Sequence, residues 1–209
     1  MAFKDNFRGD SAYTQIMTKI FNIFWLSILW LLCCIPVITI GASTIALYYV
    51  MLKLVKDEET TVTREFFHSF KQNFLQSLPV TVIVLVVVVV LVADFHILGA
   101  AGRAQGASFM YGFCIVLGII CAAVFFYVFP LLAKFENTVK KTFENGARLA
   151  ASHQTLVITV VNLFPVLWFL ISPQTFSAIF WIWVFVGGGV QAFVNSLFLV
   201  KIFDRLAEA

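Results

Sequence analysis

Residues Val82 to Val92 form an unbroken aliphatic run inside a longer apolar stretch, Leu78–Leu98. A helix rises about 1.5 Å per residue, so about 20 apolar residues cross the ~30 Å hydrocarbon layer of a bilayer. Five further apolar stretches fall at Ile16–Ile35, Ala42–Val55, Ser108–Leu132, Leu156–Ser172 and Phe176–Phe203. Together they predict an all-α fold, a polytopic membrane bundle of about six transmembrane helices forming one domain over residues 1–209. Composition leaves no water-soluble alternative. The chain is 61% hydrophobic and 12% charged, against about 45–50% and about 25% in soluble domains. Its 24 phenylalanines would overfill an aqueous core of this size.

Proline and polar residues set the expected boundaries. Pro36 cannot donate the hydrogen bond that would continue the first helix, and the segment Pro36–Gly41 reads as a tight turn. The second helix, at 42–55, is short enough to be either a full span or a re-entrant segment. Pro173 and Gln174 separate the last two helices and predict a hairpin. The first apolar stretch is too long for a secretory signal core and lacks a cleavage site, so a retained helix is expected.

Lysine and arginine orient the bundle. Lys4, Arg8 and Lys19, then Lys53, Lys56, Arg64 and Lys71, then Lys134, Lys140, Lys141 and Arg148, then Lys201 and Arg205 fall on one side of a six-span arrangement. Arg103 is alone on the other side, so thirteen of the fourteen cationic residues share a face. Both termini are therefore expected in the cytoplasm. A net charge of +3 gives no reason to expect nucleic acid as a partner.

Two cytoplasmic segments carry helical amphipathic patterns. In Arg64–Gln76, Phe67, Phe70 and Phe74 share a face, with Glu65, His68 and Gln72 opposite. In Lys134–Ala151, Phe135, Val139, Phe143 and Ala150 oppose a stripe of Glu136, Lys140, Glu144 and Arg148, alternating in sign every fourth residue. Such helices commonly lie flat in the headgroup region. A partner-docking role for these faces is the functional alternative.

Polar residues inside apolar stretches are the other candidates. Asp94 and His96 lie near the outer end of the third helix. An ionisable residue within a membrane is a functional candidate by default, and the alternative is that both, so close to the helix end, simply reach headgroup water. Two residues apart, they face about 200° around a helix and cannot share one site unaided. Asn162 interrupts the fifth stretch, and Gln191 and Asn195 are four apart on one face of the sixth. Hydrogen bonding between helices is the expected use of these amides, ahead of a substrate pathway. Cys33, Cys34, Cys114 and Cys121 fall inside apolar runs and are expected as free thiols. The sequence contains no phosphate-binding loop, H-E-x-x-H, paired C-x-x-C or G-x-S-x-G motif. An enzyme, a metal site and a cofactor are accordingly not expected.

Trp30, then Pro36-x-x-Thr39-x-Gly41, then Ala46-Leu47-Tyr48-Tyr49, and then Phe66-Phe67 with Phe70-Lys71-x-Asn73-Phe74 form a recognisable pattern. It resembles the YesL family of bacterial integral membrane proteins, as do Phe135-Glu136-Asn137 and Asn145-Gly146-Ala147. Genes for that family often stand beside carbohydrate-import ABC transporters. The resemblance implies a bacterial inner-membrane protein that works as a non-catalytic accessory subunit of an oligosaccharide ABC importer, with permease subunits and the lipid bilayer as partners. It leaves homo-oligomerisation open and assigns no catalytic residue. The alternative is a stand-alone small-solute transporter or channel lined by Asp94, Asn162, Gln191 and Asn195. A membrane enzyme acting on lipid or isoprenoid substrates ranks third.

Overall fold

The computed structural model describes residues 6–58, 61–100, 107–135, 138–150 and 183–208, together with Ile158, Asn162, Ser172 and Gln174 individually. Apart from those single residues, the expected fifth span, at 156–172, lies outside the described residues, as do Pro173 of the expected hairpin, the start of the sixth span, at 176–182, and Glu136 of the charged stripe. The described residues are mostly helical: α1 (Asn6–Cys34), α2 (Ile40–Val55), α3 (Val62–Ala100), α4 (Ala107–Lys134), α5 (Val139–Ala150) and α6 (Gly188–Glu208). A 3-10 turn, Val37–Thr39, joins α1 to α2, and a π-helical turn, Trp183–Gly187, leads into α6. Five helical stretches among the described residues are long and apolar enough to cross a membrane. The chain is a multi-pass helical membrane bundle.

Its centre is the helix whose span the sequence left open. With the preceding 3-10 turn, α2 is long enough to cross, over Val37–Val55. It is apolar around its whole circumference, the pattern of a helix enclosed by others. Ala42, Ile45, Ala46, Val50 and Met51 are fully buried, and α1, α3, α4 and α6 all pack against α2. The reason is residue size. A Cβ on Gly41 would collide with the Thr81 hydroxyl and approach Ser77 Cβ to 3.3 Å, so only glycine lets α3 come this close. The turn before α2 is fixed by Thr39, whose hydroxyl donates to the carbonyl of Cys33 or Pro36, 2.5 and 2.7 Å away.

The structure corrects one boundary. The amphipathic stretch 64–76 and the span 78–98 are one continuous 39-residue helix, α3, which passes through Pro79. At about 1.5 Å per residue α3 is nearly 60 Å long, so it tilts or leaves the hydrocarbon at one end. Its first half runs antiparallel to α2, with Gly41 at Ser77 and Thr81 and with Lys53 at Glu65. It therefore packs lengthwise on another helix where a flat headgroup position was expected. The helix expected within 134–151 is α5, which folds back along α4. Phe143 meets Phe125 edge-on with ring centroids 6.0 Å apart, and buried Gly146 faces Val124 and Val128.

One end of the bundle is held by ion pairs. Lys53 Nζ lies 2.8 Å from Glu65, tying α2 to α3, and Lys56 Nζ lies 2.7 Å from Asp204, tying the end of α2 to α6. Lys19 on α1 pairs with Asp57. Asp57 terminates α2 in the left-handed region, with φ 56°, a conformation Asp adopts more readily than most residues.

Candidate functional site

Three of the sequence candidates meet in the bundle interior. Gln191 and Asn195 stand one turn apart on α6 and both reach Asn162. Gln191 Nε2 donates to Asn162 Oδ1 at 2.8 Å, and Asn195 Nδ2 donates to the same oxygen at 3.0 Å. Asn162 Nδ2 returns a bond to Asn195 Oδ1 at 3.1 Å and gives another to the Ile158 carbonyl at 2.7 Å. Asn195 Nδ2 also donates to the Tyr48 hydroxyl at 3.1 Å, which brings α2 into the cluster. Asn162 thus uses both amide hydrogens and accepts two bonds, its full capacity. Buried amides satisfied in this way avoid the desolvation cost of an open valence.

α6 reaches this position because α1 lets it approach. A Cβ on Gly189 would strike the Ser27 hydroxyl and lie 3.0 Å from the Ile23 carbonyl oxygen. Beside the cluster opens a cleft of about 360 Å³. Its walls are aromatic, from Trp30 and Tyr48 on one side and Phe125, Phe126 and Phe129 of α4 on the other. Gln191, Asn162 and Thr44 supply its polar groups, and Thr44 Oγ1 accepts from Trp30 Nε1 at 3.2 Å.

The remaining candidates do not join this group. Asp94 is half-buried and His96 exposed on the far half of α3, beyond the part that α2 covers. Phe67 is exposed, whereas Phe70 and Phe74 are half-buried, so the expected docking face is divided. Phe66 is the reason: it is fully buried and stacks with Phe70 at a centroid distance of 6.3 Å, drawing Phe70 into the core. Lys140, Glu144 and Arg148 do lie together on the exposed side of α5, and none of them forms an ion pair among the described residues. The four cysteines are free thiols. Among the described residues, no three His, Cys, Asp or Glu side chains are grouped as metal ligands.

Sequence reasoning passed over Tyr48 and Trp30 as site residues. Both sit in the pattern Trp30…Ala46-Leu47-Tyr48-Tyr49, but nothing in that spacing marks a hydroxyl that reaches α6.

The sequence model of a family described as "Protein of unknown function, DUF624" matches residues 23–95. That domain is YesL-like, and the match runs from α1 through most of α3. No curated protein and no solved structure matches the chain. Several of the matched residues have a structural role here: Thr39 in the turn, Gly41 against α3, Trp30 on Thr44, and Asn73, whose Nδ2 donates to the Ser69 carbonyl at 3.0 Å.

Proposed function

We propose that the chain is a YesL-type, non-catalytic accessory subunit that docks sideways, within the membrane, onto the permease of a carbohydrate ABC importer. One observation carries the reading: among the described residues, the hairpin made by the second half of α3 and the first half of α4 has almost no cover. Val88, Val89 and Val90 are 48%, 65% and 52% exposed, and successive helix positions are about 100° apart. More than half of the circumference of α3 is therefore bare at this level. Across the hairpin, Phe109, Phe113 and Val116 of α4 are exposed as well. Asp94 and His96 lie on this same stretch, and an ionisable residue there gains more from a protein partner than from lipid. The DUF624 match contains the residues that carry the YesL resemblance between Trp30 and Phe74, and the importer as partner follows from that resemblance.

The stand-alone transporter reading is weaker. Its four residues would have to line one path, yet Asp94 is on the hairpin and the hydrogen-bonding capacity of Asn162 is filled by Ile158, Gln191 and Asn195. The distribution of lysine and arginine supports cytoplasmic termini in a bacterial inner membrane.

Mild-detergent purification of the tagged protein from its native host, followed by mass spectrometry, tests the proposal. Importer permease and ATPase should be recovered in stoichiometric amounts. A protein recovered alone as a monomer, whose deletion leaves sugar uptake unchanged, would sink it. Flux assays in liposomes would then take up the transporter alternative.

A further inference from the structure

The geometry points to the 360 Å³ cleft between α1, α2, α4 and α6 as a binding site for an uncharged amphiphile bearing a hydroxyl group, a long-chain alcohol in chemical class. Its size falls within the range of about 300–1,000 Å³ typical of small-molecule sites, which are mostly apolar with a few convergent polar groups. Among the described residues, five aromatic side chains form its walls, and no Lys, Arg, Asp or Glu lines it. Taking a charged headgroup from water into such a site would leave that charge unpaired at high cost.

Two polar groups facing the cleft retain unused capacity. Gln191 spends one amide hydrogen on Asn162, while its carbonyl oxygen and second hydrogen have no partner among the described residues. The Tyr48 hydroxyl accepts from Asn195, and its own proton has no acceptor among the described residues. One alcohol group can satisfy both, donating to Gln191 Oε1 and accepting from Tyr48 O–H. Such a ligand must donate as well as accept, which an alkane or an ester carbonyl cannot do. Its chain would lie along Phe125, Phe126 and Phe129. This assignment stands independently of the accessory-subunit reading.

The test uses the full-length protein in phosphatidylcholine nanodiscs at pH 8, with three photoactivatable probes of equal chain length: a primary alcohol, an alkane and a carboxylate. Cross-linked peptides are mapped by mass spectrometry, with unlabelled alcohol as competitor. The alcohol should label the Trp30 and Phe129 peptides saturably and about tenfold more efficiently than either other probe, as one or two hydrogen bonds would give. Gln191→Leu should remove that preference while leaving alkane labelling unchanged, and Tyr48→Phe, which keeps the ring, should reduce it. Equal labelling by all three probes, or labelling that the competitor does not displace, would overturn the site. Competed labelling that both variants leave intact would overturn the assignment of Gln191 and Tyr48 as its recognition groups.

Discussion

Asn162 and Asn195 face each other as a reciprocal amide pair: the Nδ2 of each donates to the Oδ1 of the other, at 3.1 and 3.0 Å. Gln191 and the Ile158 carbonyl complete the valences of Asn162, and Tyr48 takes the second hydrogen of Asn195. A closed pair of this kind fixes the register of α6 against its neighbours, since a shift of one residue would turn both amides away from their partners. In hydrocarbon no water is at hand to take over the lost bonds.

Replacing both members of the pair should therefore cost less than the two single replacements added together. Asn195→Leu leaves one Asn162 hydrogen without an acceptor and should destabilise the protein by about 1 kcal/mol, with about 2 kcal/mol as the upper end for membrane hydrogen bonds. Asn162→Leu should cost a similar amount. The double variant should lose clearly less than the sum, because the two reciprocal bonds are broken by either single replacement and can be lost only once, while the bonds to Gln191 and Tyr48 are lost as in the single variants. Thermal unfolding in detergent measures all four proteins, and strictly additive losses would show that the two amides do not act together.

How far the sequence reveals this arrangement differs from element to element. The apolar stretches and Pro36 mark α1 and α2 well, because hydrocarbon thickness imposes a length that composition must meet. The continuity of α3 escapes notice because polar residues such as Lys71 and Gln72 read as a headgroup-facing surface. Only α2, packed against Phe66 and Phe70, explains why the stretch stands upright along another helix. Gln191 and Asn195 share a face by spacing alone. Their partner Asn162, 29 residues before Gln191, lies on a different stretch of helix, and spacing within one helix carries no information about which other helix faces it. Tyr48 is hidden for the same reason.

Gly41 and Gly189 should respond differently to alanine, although both sit at close helix contacts. Each substitution should cost about 1–3 kcal/mol, as inserted methyl groups do in packed interiors. At Gly41 the clash is with the Thr81 side chain, and the next contacts, to Ser77, are at 3.3 and 3.4 Å. Thr81→Ala should restore most of the stability of Gly41→Ala. At Gly189 the Ile23 carbonyl oxygen remains at 3.0 Å after Ser27 is shortened, and backbone cannot be trimmed. Ser27→Ala should therefore fail to rescue Gly189→Ala. Equal rescue at both positions, judged by melting temperature, would contradict the packing described here.

The two ion pairs made by α2 should separate by salt sensitivity. Lys56 and Asp204 have side chains 30% and 50% exposed, so a double-mutant cycle should give roughly 0.2–1 kcal/mol at low salt. In 1 M salt, where the screening length is about 3 Å, that coupling should vanish. Lys53 and Glu65 are 27% and 28% exposed, and Lys53 also sits 4.5 Å from the centroid of the Tyr49 ring. Their coupling should be the larger and should persist in salt, because less water reaches them. Cycles run at both salt concentrations decide the matter, and a Lys53–Glu65 coupling lost in 1 M salt would place that pair in open solvent.

The bare hairpin yields the prediction closest to function. Val88, Val89 and Val90 point in three directions from one level of α3, and all three are exposed. Substituting any of them with tryptophan should change stability by no more than about 0.5 kcal/mol, since no protein neighbour is displaced. A partner helix, however, covers only part of the circumference. Recovery of the partner in mild-detergent purification should fall several-fold for one or two of the three variants and stay unchanged for the rest. That asymmetry would identify the docking face directly. If all three variants retain the partner, the hairpin faces lipid on every side, and the surface that binds the partner must be sought at the charged face of α5.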